Sequence, residues 1–190
     1  GNPTRSILAD TLADLEGGAG AVVTGSGMAA VTLCLAAFVP EGATLMVPHD
    51  CYGGSWRLFD ALGRKGQYRL VISDFTAPDA AARIAAERPA LVWIETPSNP
   101  LLRLTDLRAI SDAAHAAGAL VAVDNTFCSP VLQRPIEHGA DLVVHSTTKY
   151  LNGHSDVIGG VVVGRTPELA EEASWWANSM GLTGAAMDSY

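Results

Sequence analysis

Short apolar runs alternate with amphipathic stretches along the whole chain. Each apolar run is bounded by glycine or polar residues, which is typical of buried strands. The runs predict strands at residues 21–24, 44–47, 69–72, 90–94, 120–123, 141–144 and 159–164. Helical periodicity predicts helices at residues 3–15, 25–38, 56–62, 77–87, 107–117 and 167–177. This alternation indicates an α/β fold, with a mainly parallel sheet and helices on both faces.

Residues that could bind a ligand or take part in catalysis follow several of these strands directly. They are the glycine turn at residues 25–30, Tyr52, Asn99, Asp124 and Lys149. Ligands of open parallel sheets bind at the carboxyl ends of the strands. The pattern therefore predicts one binding site at that edge of the sheet.

The glycine turn joins a strand to the start of a helix, where free N–H groups and the helix dipole attract anions. Its residues Gly25 to Ala30 also match the dinucleotide fingerprint, and Asp50 lies where a ribose-binding acid is expected. A nicotinamide-dependent dehydrogenase is therefore one interpretation of this turn. A tight turn without any ligand is another.

Three further strand-end residues each allow two interpretations. Tyr52 could stack on a flat ring or pack within its loop, and Asn99 could bind a ligand oxygen or local backbone. Asp124 follows a fully apolar strand, so its carboxylate needs a partner such as a protonated pyridine nitrogen. Capping and metal binding are the other options for Asp124. A metal is disfavoured because no second carboxylate or histidine stands at ligand spacing.

Lys149 is one of only two lysines in the chain, and the other, Lys65, lies in a predicted exposed turn. A lysine in an apolar, water-excluded site loses proton affinity, and its neutral amine can then form a Schiff base with an aldehyde. Ser146 and Thr148 flank Lys149 at alternate positions and could bind a phosphate. An aldehyde and a phosphate on one small molecule describe pyridoxal 5′-phosphate. Lys149 as a solvent-exposed residue at a strand end is the alternative.

Composition narrows the class of protein. The chain has 190 residues, 48% of them hydrophobic, which is enough for one sizeable core. Its net charge of -8, without a basic cluster, disfavours nucleic-acid binding. No apolar run approaches the roughly 20 residues that cross a membrane. Three scattered cysteines indicate free thiols in a reducing compartment, so we expect a cytoplasmic protein without a metal site.

Five motifs together resemble the Cys/Met-metabolism family of pyridoxal-phosphate enzymes. They lie at residues 26–28, 52–54, 95–100, 123–127 and 145–156. Within that family, residues 49–55, 57–60, 175–178 and 188–190 are most similar to the bacterial cystathionine γ-synthases. The resemblance implies a fold type I transferase, with residues 1–190 forming its large cofactor-binding domain.

The resemblance also implies roles for individual residues. Lys149 would carry the cofactor, Asp124 would pair with the pyridinium, and Tyr52 would stack on the ring and help to handle protons. The catalytic residues expected are thus Lys149, Tyr52 and Asp124. The residues expected to bind the cofactor are Ser26, Gly27, Met28, Tyr52, Asn99, Asp124, Thr126, Ser146, Thr148 and Lys149. A dinucleotide site would explain the glycine turn and Asp50 but not Asp124, Asn99 or Lys149.

The implied reaction is γ-replacement, in which O-succinylhomoserine and cysteine give cystathionine and succinate for methionine biosynthesis. Cystathionine β-lyase, γ-lyase and acylhomoserine sulfhydrylase activities use the same lysine machinery and stay open. A silent pyridoxal-binding or interaction subunit is the non-enzyme alternative. We expect the chain to be a piece of a longer protein, inactive by itself. The resemblance implies that the whole protein is a homotetramer built from dimers that share active sites.

Overall fold

Seven strands form one sheet, which organises the chain. The structure is a computed structural model, and it describes residues 2–190. The strands are β1 (Gly20–Thr24), β2 (Thr44–Pro48), β3 (Arg69–Ser73), β4 (Leu91–Glu95), β5 (Leu120–Asp124), β6 (Leu142–Ser146) and β7 (Gly160–Gly164). Their order across the sheet is β1-β7-β6-β5-β4-β2-β3.

Six of the seven strands run in the same direction. β7 lies between β1 and β6 and is antiparallel to both, whereas the pairs from β6 through β3 are all parallel. The predicted mainly parallel sheet is confirmed. The single reversed strand was not predicted, because apolar runs carry no information about strand direction.

Helices cover both faces of the sheet. They are α1 (Pro3–Glu16), α2 (Gly27–Phe38), α3 (Gly53–Arg64), α4 (Ala80–Glu87), α5 (Leu107–Ala116), α6 (Ser129–Leu132) and α7 (Pro167–Met180). One apolar cluster joins α2, α3 and α7 to one face of the sheet, and a second cluster joins α1, α4 and α5 to the other. Successive residues of a strand point to opposite faces, so each strand contributes to both clusters. The predicted α/β architecture is confirmed.

Local capping fixes where the main helices begin. Asn2, Ser26, Asp106 and Thr166 each accept a hydrogen bond from a backbone N–H in the first turn of α1, α2, α5 and α7, respectively. α3 begins at Gly53, before the predicted Trp56, and its N-cap residue Tyr52 supplies no side-chain cap. No helix within residues 2–190 is long and apolar enough to cross a membrane.

Candidate active site

A cavity of about 290 Å³ opens at the carboxyl edge of the sheet. The lining residues come from the ends of β4, β5 and β6, from the first turns of α2 and α3, and from the loops beside them. They are Ser26, Gly27, Met28, Val31, Tyr52, Ser55, Glu95, Pro97, Asn99, Asp124, Thr126, Phe127, Ser146, Thr148, Lys149 and Ile158. All ten residues expected to bind the cofactor line this one cavity, and Lys65 does not. Their individual roles stay predictions.

The first turn of α2 forms one wall of the cavity. The hydroxyl of Ser26 accepts a hydrogen bond from the N–H of Ala29 at 3.0 Å, which leaves the N–H groups of Gly27 and Met28 at the positive end of the helix. A Cβ atom on Gly27 would lie 2.7 Å from the Cβ of Ser146, closer than real side chains approach. Glycine at this position therefore lets the helix end meet the end of β6, and together they form a cradle suited to an anion.

Asp124 lies on the floor of the cavity and is held by Thr126. The backbone N–H of Thr126 donates to Asp124 Oδ1 at 3.0 Å, and the Thr126 hydroxyl donates to the same oxygen at 2.6 Å. The Thr126 hydroxyl in turn accepts from the N–H of Ser146 at 2.9 Å. Burial raises the pKa of Asp124, and the two bonds from Thr126 oppose that rise. A cation in the cavity would offset the cost of burying this carboxylate.

Glu95 is a second buried carboxylate in the cavity, for which the sequence predicted no role. It pairs in register with Asp124 on the neighbouring strand, and its Oε2 accepts from the N–H of Tyr52 at 2.8 Å. Burial and the charge of Asp124 raise the pKa of Glu95 to about 8. Its position at the end of an otherwise apolar strand was the signal in the sequence, as it was for Asp124. Glu95 thus provides the cap that α3 lacks in its own sequence.

Tyr52 and Asn99 stand on two loops that are tied to each other. The Tyr52 ring packs over Gly54, where a Cβ would lie 2.4 Å from Tyr52 Cε1. Ser98, next to Asn99, donates its hydroxyl to Asp50 Oδ2 at 2.8 Å. Asp50 is therefore engaged in joining the two loops, which removes the ribose-binding acid that a dinucleotide site would need.

Lys149 lies in the turn that follows β6. Its backbone N–H donates to the Ser146 carbonyl at 3.3 Å, and its carbonyl accepts from the N–H of Gly153 at 3.0 Å. The Lys149 side chain lines the cavity but is exposed. Residues 2–190 alone therefore do not form the apolar, water-excluded site around Lys149 that the sequence suggested. The Thr148 hydroxyl accepts from Gly159 N–H at 3.1 Å and faces the Gly159 carbonyl at 3.3 Å. To donate to a phosphate, Thr148 would give up that longer contact.

Other polar groups in and near the cavity bear on whether it could use a hydroxyl, a thiol nucleophile or a metal ion. The buried hydroxyl of Ser55, in the first turn of α3, lines the cavity without a hydrogen-bond partner among the described residues, and the sequence analysis missed it. Burial raises the pKa of the Cys51 thiol to about 12, which makes it a poor nucleophile. Within residues 2–190, no group of three or more His, Cys, Asp or Glu side chains is placed to hold a metal ion.

Comparison with known proteins identifies the family of the chain. The family model described as Cys/Met metabolism PLP-dependent enzyme matches residues 1–190. The chain is 54% identical to the cystathionine gamma-synthase of Escherichia coli (strain K12), covering 100% of this chain and 49% of that protein. It is 43% identical to the cystathionine beta-lyase of Coxiella burnetii, again covering 100% of this chain and 49% of that protein.

Solved structures give the same result. The crystal structure of cystathionine gamma synthase from Xanthomonas oryzae pv. oryzae, in complex with aminoacrylate and cysteine, is 59% identical with a TM-score of 0.98. The match covers 100% of this chain and 49% of that one. The chain thus spans about half the length of the relatives it matches. It belongs to the family of pyridoxal-phosphate-dependent enzymes of cysteine and methionine metabolism.

Proposed function

We propose that the whole protein is a γ-replacement enzyme that converts O-succinylhomoserine and cysteine into cystathionine and succinate. The observation that carries the proposal is the single cavity that gathers Lys149, Asp124, Asn99, Tyr52 and the first turn of α2. The identity of 54% to the E. coli cystathionine gamma-synthase supports the choice of reaction.

The cavity residues fit each part of pyridoxal phosphate. Lys149 offers an amine for the aldehyde, and the buried carboxylate of Asp124 suits a protonated pyridine nitrogen. The first turn of α2, with the Ser146 hydroxyl beside Gly27, suits the phosphate, and the exposed face of Tyr52 suits the flat ring. The cofactor, when bound, supplies an electron sink that makes protons on neighbouring substrate carbons acidic.

The residues of this chain then handle protons and charge. The Lys149 amine takes a proton from the substrate α-carbon as a base and later returns a proton as an acid. The Asp124 carboxylate would face the protonated pyridine nitrogen and balance its positive charge, with Thr126 holding the carboxylate in place. Loss of a β-proton accompanies departure of the γ-substituent as succinate. The cysteine thiol then adds at the γ-carbon and gives up its own proton. A proton returns to the β-carbon, so the atoms of substrates and products balance.

A lyase that cleaves cystathionine is the second candidate, because the chain is also 43% identical to a cystathionine beta-lyase. β-elimination, γ-elimination and direct sulfhydrylation of an acylhomoserine need the same lysine and carboxylate. A silent pyridoxal-binding subunit is the non-enzyme alternative. It is disfavoured because Lys149 and Asp124 reach the same cavity.

The deciding experiment supplies the whole protein with pyridoxal phosphate, O-succinylhomoserine and cysteine and identifies the products by mass. Cystathionine and succinate in equal amounts support γ-replacement. Cleavage of added cystathionine to a keto acid and ammonia, without any synthesis, would replace the proposal with a lyase. Cofactor uptake without turnover of any of these amino acids would favour the silent subunit.

The assembly and location of the whole protein belong to the same proposal. We propose that residues 1–190 form its cofactor-binding domain, that it assembles as a homotetramer of dimers that share active sites, and that it works in the cytoplasm. Large apolar side chains stand exposed in the loops at the carboxyl edge of the sheet and on the short helix α6, as expected of a surface that an assembly covers. They include Leu101, Leu102, Leu104, Val131, Leu132 and Ile158. Measuring the mass of the whole protein in solution tests the assembly.

A further inference from the structure

A buried polar cluster lies behind the cavity, on the opposite face of the sheet. We call it the Glu16 cluster, and it consists of Glu16, Asn125, Gln133 and His145. Glu16 Oε1 lies 2.5 Å from His145 Nε2 and accepts from Asn125 Nδ2 at 2.8 Å. Gln133 Nε2 donates to Asn125 Oδ1 at 3.0 Å and to the Thr96 carbonyl at 3.1 Å.

Each partner of Glu16 stands next to a residue of the cavity. His145 precedes Ser146 and lies four positions before Lys149, and Asn125 lies between Asp124 and Thr126. Side chains alternate across a strand, so His145 points away from the cavity while Ser146 lines it. The cluster therefore joins the ends of β5 and β6, and through Gln133 the loop after β4, to the last residue of α1.

The cluster is costly to bury, which argues against a role in stability alone. Glu16 and His145 are each 1% exposed. Glu16 Oε2 and His145 Nδ1 have no hydrogen-bond partner among the described residues. Replacing a buried ion pair by apolar side chains of similar volume is often neutral or stabilising. A pair with two unsatisfied atoms is therefore better explained by the positions that it fixes than by the energy that it adds.

The cluster also acts on the charge at the cavity floor. A proton on His145 would lower the pKa of Asp124, against the larger effect of burial. A positively charged group behind the strand therefore favours the ionised form of the carboxylate that faces the cavity.

We infer that Glu16 is a positioning residue, which holds the ends of β5 and β6 from behind so that Asp124 and Lys149 keep their spacing across the cavity. The inference rests on the proposed function, because it is the bound cofactor that spans these two side chains. Neither Glu16 nor His145 lines the cavity. Removing their contact therefore leaves the chemical groups of the cavity in place and changes how those groups are held and charged.

The test compares variants of the whole protein. In Glu16→Ala and His145→Ala we expect both the affinity for pyridoxal phosphate and kcat to fall by about tenfold or more, by analogy with the loss of a residue that orients a metal ligand. We expect a smaller change in substrate KM and a shift in the absorbance of the bound cofactor. His145→Gln keeps a donor toward Glu16 and should restore most of the loss seen in His145→Ala.

Asp141→Asn is the matched control. Asp141 is a buried carboxylate beside the other end of β6, where it pairs with His115 at 2.8 Å and with Arg165 at 2.5 Å. Its loss should lower the unfolding temperature while cofactor affinity, absorbance and kcat stay within about twofold of the wild type, since it lies far from the cavity.

The outcomes separate the inference from the function on which it rests. If the Glu16 and His145 variants lose stability as Asp141→Asn does, but keep wild-type cofactor affinity, absorbance and kcat, the positioning role is wrong. If Glu16→Ala does not fold, the positioning role is tested with Glu16→Gln and the two His145 variants. Cofactor affinity, cofactor absorbance and kcat are again the quantities measured. A wild-type protein that takes up no pyridoxal phosphate would overturn the proposed function, and the inference with it, before any substitution is made.

Discussion

The paired carboxylates Glu95 and Asp124 predict how the stability of the cofactor-free protein depends on pH. Burial and the charge of Asp124 raise the pKa of Glu95 from 4.5 to about 8. The folded protein therefore retains a proton that the unfolded chain releases once the pH exceeds about 4.5. Because the folded state binds more protons in this range, stability falls as the pH rises from about 4.5 to about 8.

The size of this effect follows from the difference in pKa. Each pH unit corresponds to about 1.4 kcal/mol, so Glu95 alone costs roughly 3–5 kcal/mol of unfolding free energy by about pH 8. Glu95→Gln removes the titration but keeps an oxygen that can accept from the N–H of Tyr52, 2.8 Å from the carboxylate in the wild type. We expect the variant to gain stability relative to the wild type as the pH rises, by an amount of that order.

The assay is urea unfolding of the cofactor-free whole protein at about pH 5.5 and about pH 8.5, on either side of the Glu95 transition. Glu171→Gln, which changes an exposed carboxylate on α7, is the control and should show the same difference from wild type at both pH values. The reasoning is refuted if the gap between Glu95→Gln and wild type stays constant between the two pH values.

Two further substitutions test the cavity. Gly27→Ala would place a Cβ 2.7 Å from the Cβ of Ser146, and crowding of this kind costs about 1–3 kcal/mol in a packed core, so we expect the cradle to shift and cofactor binding to weaken. Gly53→Ala, at the first residue of α3, is the control. Apart from its chain neighbours and the backbone of its own helix, the added Cβ meets no atom closer than 3.6 Å, so titration of cofactor absorbance should give wild-type affinity. Asp124→Asn should keep part of the cofactor but lose most turnover, and wild-type turnover in this variant would show that Asp124 does not pair with the pyridine nitrogen.

Much of the fold was predictable because strands buried on both faces give continuous apolar runs. β4 is an example, with all five residues buried and the run 90–94 predicted from sequence. The reversed direction of β7 was not predictable, since Gly160–Gly164 has the same apolar pattern as a parallel strand. The start of α3 was also missed, because its cap comes from Glu95 on another strand and not from a neighbouring side chain.

The cavity was predictable to the extent that the carboxyl ends of parallel strands meet at one edge. This geometry placed Asp124, Asn99 and Lys149 together without knowledge of strand order. Contacts that depend on distant pairing could not be foreseen. Glu16 and His145 are 129 positions apart, and no local pattern connects the end of α1 with the end of β6.

The most direct test of the central claim is to reduce the whole protein with borohydride in the presence of pyridoxal phosphate and to map the modified peptide by mass. We expect a pyridoxyl group on the peptide that contains Lys149, none on the peptide that contains Lys65, and loss of the label in Lys149→Ala. A label retained in Lys149→Ala, or carried only by another lysine, would contradict the account.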